Sequence, residues 1–133
     1  MSRTSARMTE ANVQLQQILC LEHDTTILYG EAIQIVAERN LCWFRPLLLY
    51  RLQGEVEILL DLRQGADLLC PFSLLRSALD VEVLPLLVQL ERLKAEPAEP
   101  SLLHQLHPDA AAHQQLQQFV HQVWQAHPEA FQP

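Results

Sequence analysis

Glycine is nearly missing from this 133-residue chain, which has only Gly30, Gly54 and Gly65. No GxGxxG, GxxxxGK[ST] or GxSxG motif can be written around them, so the common phosphate-cradling loops and the nucleophile elbow are excluded. Lysine is rarer still: Lys94 stands alone against eight arginines. Cysteine appears as Cys20, Cys42 and Cys70, with no CxxC pair, which excludes zinc-ribbon and thioredoxin-type chemistry. Three thiols set among leucines and aromatics read as buried core residues of a reducing, cytoplasmic compartment. No apolar run approaches the ~18 residues of a membrane span, although peripheral association stays open. Met1 to Glu10 carries two arginines and no apolar stretch, unlike a secretory leader. The net charge of −7 argues against a nucleic-acid partner.

What the chain does have is apolar residues, 49% of the total against 19% charged. That balance describes one globular domain spanning 1–133. Residues 1–9 are polar and read as a flexible end, and Lys94 to Pro100 as a linker. Val13, Leu15, Ile18, Leu19 and Leu21 suggest a first helix over Glu10 to Leu21. Asp24 would cap a second helix over Thr25 to Arg39, closed by a left-handed Asn40.

The period then changes. Leu41 to Leu52, interrupted by Pro46, reads as an edge strand or as a strand bulged at the proline. Glu55 to Leu62 alternates apolar with charged residues and is the clearest strand signal. Gln53-Gly54 and Gln64-Gly65 supply turns, and Ala66 to Pro71 a short third strand. Ser73 to Leu79 reads as a short helix or turn. Asp80 caps a helix over Val83 to Leu93, with Pro85 in its first turn. Ser101 to Leu106 forms another short helix. The last runs from Pro108 or Asp109 to about Ala126, with an apolar stripe of Leu116, Phe119, Val120, Val123 and Trp124. The expected fold is therefore α+β: N-terminal helices, a three-stranded antiparallel meander and C-terminal helices. An all-α fold is the alternative.

No catalytic constellation is complete. His104, His107, His113, His121 and His127 crowd the C-terminal third, but glutamines surround them and no cysteine joins them. They read as a solvated face, so neither a metal nor any other cofactor is expected. Asp61 and Asp67 flank Arg63 and read as a turn network rather than an acid–base pair.

The most distinctive tetrapeptide is Trp43-Phe44-Arg45-Pro46. Successive strand residues point to opposite faces, so one of the two aromatics must leave the core side unless both faces are covered. Trp and Arg are also the residues most enriched in binding hot spots. Trp43, Arg45, Arg63, Asp67 and Arg76 are the candidate partner-binding residues. Trp43 would be the apolar anchor, and Arg45 and Arg76 would meet acidic groups on the partner. The chain accordingly reads as a non-catalytic interaction domain, an accessory or assembly factor. The alternative is a small-ligand domain whose arginines grip a carboxylate or phosphate. Homodimerisation through Val123 and Trp124 is compatible with either.

The segments Trp43 to Pro46, Asp61 to Leu69, Leu75-Arg76 and Asp80 to Leu86 resemble a group of small uncharacterised cyanobacterial proteins. The resemblance covers about a third of the chain. It implies an accessory role in a photosynthetic bacterium and carries no catalytic residues with it.

Overall fold

A computed structural model describes residues 17–95 and 108–131. Six antiparallel strands come first: β1 (Ile18–His23), β2 (Thr26–Val36), β3 (Leu41–Gln53), β4 (Val56–Asp61), β5 (Leu68–Pro71) and β6 (Leu75–Ser77). Two helices follow, α1 (Asp80–Ala95) and α2 (Pro108–Ala126). The strand order is β4-β3-β2-β1-β6, with β5 also paired to β3. β4 pairs with Leu48–Gln53 and β5 with Leu41–Phe44, so the two share one side of β3.

This corrects the expected arrangement. Where the apolar spacing predicts two N-terminal helices, the described chain forms the β1–β2 hairpin. His23 pairs with Thr26 across a two-residue loop, so Asp24, at φ 54°, turns a hairpin instead of capping a helix. Asn40 does take the left-handed conformation, but after a 3-10 turn at Ala37–Arg39. The three-stranded meander is likewise replaced by the six-stranded sheet. Residues 10–16 of the first expected helix, the flexible 1–9, the linker residues 96–100 and the helix at 101–106 lie outside the described residues.

Both sheet faces are covered, and that explains the misleading periodicity of β1 and β2. Leu19, Leu21, Leu28 and Ala32 pack with Phe119 and Val123 of α2. Cys20, Tyr29 and Ile27 pack on the other face with Val83 and Leu90 of α1. A strand buried on both sides loses apolar–polar alternation. Bulges in the β2–β3 ladder, at Tyr29/Gly30 and at Ala32/Gln34, then shift the phase of what remains. Residues 27, 28, 32, 35 and 36 consequently imitate a helical stripe.

Pro46 sits at the first of these irregularities, opposite Gly30, where a missing N–H is tolerated. β3 is central, not an edge. β6 occupies part of the expected 73–79 helix, after a 3-10 turn at Phe72–Leu74. Pro85 lies one turn further into α1 than expected. It cannot donate to the Val81 carbonyl, but Val81 is 81% exposed, so water can serve that oxygen.

Candidate functional site

α1 covers only part of its sheet face. Its core partners are Ile18, Cys20, Ile27, Tyr29, Leu48, Tyr50 and Leu59, which leaves the β3–β5 end of that face open among the described residues. There Trp43 pairs with Leu69 and Arg45 with Glu31, while Phe44 and Cys42 turn inward toward α2. Strand parity thus sends Trp43 to the face opposite Phe44, out of the α2 core. Trp43 remains 41% exposed and Leu69 66%.

Hydrogen bonds hold Trp43 in place. Its indole N–H donates to Asp67 Oδ2 at 2.8 Å. Arg45 donates to both oxygens of the same carboxylate, from Nε at 3.0 Å and Nη2 at 3.1 Å. The Arg45 guanidinium, helped by Trp43, keeps the Asp67 carboxyl below its ordinary range against the opposing effect of burial. Asp67 is therefore ionised near neutrality, and the fork geometry orients it toward the indole.

The patch continues around β5. A groove of about 450 Å³ lies between β5 and α2, lined by Leu68, Leu69, Leu116, Val120 and Trp124, with His113, Gln117 and His121 also along it. Trp124 is half exposed, its ring 6.0 Å from that of His121. Among the described residues no strand pairs with the outer edge of β5. The apolar stripe expected on α2 therefore divides. Leu116, Phe119 and Val123 enter the core, and Trp124 stays at the groove.

Trp43, Arg45 and Asp67 thus come together. Arg63 and Arg76 lie elsewhere. Arg63 donates to Asp61 and to Glu91, joining the end of β4 to α1. Arg76 on β6 donates to Glu22 and Glu82, and Glu82 also accepts from Tyr29 Oη at 2.7 Å. Burial alone would raise the Glu82 carboxyl, but bonds from Arg76 and Tyr29 outweigh it and hold the group below its ordinary value. The sequence places all three arginines in one region; the structure gives each its own intramolecular carboxylates. An incoming anion would have to displace them, which weakens the ligand-gripping alternative.

The three thiols are buried and free. Burial pushes Cys20 and Cys70 up to about 12 and Cys42 up to about 11, away from nucleophilic chemistry. Among the described residues no group of three or more His, Cys, Asp or Glu side chains is placed to hold a metal ion. No described helix is long and apolar enough to cross a membrane.

Of the five candidate residues named from the sequence, the structure brings Trp43, Arg45 and Asp67 together, and beside them it places Leu69 and the groove, which sequence reasoning does not name. Leu69 sits in a run of apolar residues, and only pairing with β3 shows which way it points. No family model matches the chain, and neither a curated protein nor a solved structure matches it.

Proposed function

We propose that this chain is a non-catalytic protein-interaction domain, an accessory or assembly factor that docks a partner across β5. The observation that carries the reading is an exposed tryptophan held in one orientation. Trp43 is fixed by Asp67, itself fixed by Arg45, beside the exposed Leu69. A rigid aromatic anchor loses little side-chain freedom on binding, which is the property of a hot spot. The β5 edge, which pairs with no other described strand although the 3-10 turn Pro128–Phe131 packs near it, and the apolar groove behind it suit an extended apolar segment of the partner. That the assembly is photosynthetic is a further part of the proposal, resting on the sequence resemblance of Trp43 to Pro46 and Asp61 to Leu69 alone. Arg45 in this reading positions Trp43 through Asp67, more than it meets partner acids directly.

The test is comparative capture from source-cell lysate at low and high salt, read by quantitative mass spectrometry. Wild type should retain a stoichiometric partner that Leu69→Glu and Trp124→Glu lose. A partner indifferent to both substitutions, or none at all, overturns the reading.

A further inference from the structure

α1 is apolar on two sides. Val83, Leu86, Leu87 and Leu90 face the sheet. On the outward side Val81, Leu84 and Val88 are 81%, 52% and 58% exposed, and Pro85 between them is exposed as well. A helix with apolar residues on opposite sides is normally buried on both. This stripe lies on a different helix from the β5–α2 groove, so the inference stands apart from the proposed partner site.

We propose that the outer stripe of α1 binds the same stripe of a second copy of this chain, antiparallel about a two-fold axis. Three features bear on self-pairing, of which the charge arrangement is the one that favours it over an unrelated partner. The spacing Val81, Leu84, Pro85, Val88 reads the same in either direction. A two-fold axis between Leu84 and Pro85 therefore sets Val81 against the mate's Val88 and Leu84 against the mate's Pro85, apolar on apolar throughout.

The second feature is charge. A chain of net charge −7 repels its own copy, and any charge near a two-fold axis meets itself. None of these four residues is charged. Glu82 and Glu91 flank them but are tied to Arg76 and Arg63. Among the described residues Asp80 and Arg92 take part in no ion pair. Antiparallel pairing brings Arg92 of each copy toward the acidic first turn of the other and opposes the two helix dipoles.

The third is area. Val81, Leu84 and Val88, 81%, 52% and 58% exposed, make up the apolar centre of the contact, and flanking residues such as Gln89 and Arg92 must complete the ~800 Å² each partner contributes to a standard interface.

Light scattering on the full chain, from high-micromolar to nanomolar concentration, reads the outcome. Wild type should weigh twice 15.2 kDa at the concentrated end. Leu84→Glu and Val88→Lys should raise the dissociation constant at least ~30-fold while leaving the circular dichroism spectrum unchanged. Because a variant can misfold, Val81→Cys and Val88→Cys chains provide a second reading. Mixed and mildly oxidised, they should cross-link to each other more than either does to itself, the native thiols being buried. A monomer at every concentration, a dimer indifferent to Leu84→Glu, or cross-linking without preference for the mixed pair overturns the proposal.

Discussion

The ring of Phe44 lies across the backbone of Gly30, so near that a Cβ on the glycine would come within 2.5 Å of two ring carbons. It would also approach the Arg45 carbonyl at 2.6 Å, and that backbone cannot swing aside as a flexible side chain could. Gly30→Ala should therefore destabilise the fold, by about 1–3 kcal/mol for the overpacking. Gly54→Ala, with open space around it but a φ of +65°, should cost about 1–2 kcal/mol from strain alone. Urea unfolding of both variants measures the two mechanisms. Equal, negligible changes would refute the close approach at Gly30.

Trp43 should report on the protonation of Asp67. Folding lowers the Asp67 pKa from 3.8, so the stabilisation it brings is complete above that value and is lost as pH falls through the lower folded pKa. In a Trp124→Phe background the emission of Trp43 should stay constant from neutrality down through the ordinary carboxylate range and change only below it, as the indole loses its acceptor. Asp67→Asn should remove most of that acid transition and leave neutral-pH stability only slightly lower, since the pair is partly solvated. A transition that persists in Asp67→Asn would assign it to another group.

The cysteines should be silent in the native state. Cys20, Cys42 and Cys70 are all buried, and their thiols are raised to about 11 or 12 by burial. At mildly alkaline pH an aromatic disulfide reagent should label none of them rapidly, and all three after denaturation. Rapid labelling of one thiol in the folded protein would show that its strand opens. Cys42 and Cys70, paired across β3 and β5, would be the first to examine.

Two elements are legible along the chain alone. The alternation of Glu55 to Leu62 marks β4, and the stripe from Leu116 to Val123 marks the core side of α2. The α2 stripe is written by a core on one side and solvent on the other, whereas β4 keeps its alternation because Glu55, Glu57 and Asp61 share the α1 face with Leu59 while Ile58 and Leu60 take the α2 face. That Trp43 and Phe44 part to opposite faces follows from strand parity, but that Trp43 is the exposed one is set by the partial cover α1 gives its face. β1 and β2 are different. With α2 on one face and α1 on the other, their residues have no solvent side to mark a period of two, and the bulges around Gly30 and Ile33 move the phase.

That β5 joins β3 instead of continuing from β4 is settled in three dimensions. The pairing seats Leu69 beside Trp43, and Asp67, just before β5, reaches the indole. So is the outcome at α1, which is apolar on two sides and covers the sheet with one of them. Non-local pairing and the limited area of one sheet face set these outcomes, and neither is a property of any short stretch of chain.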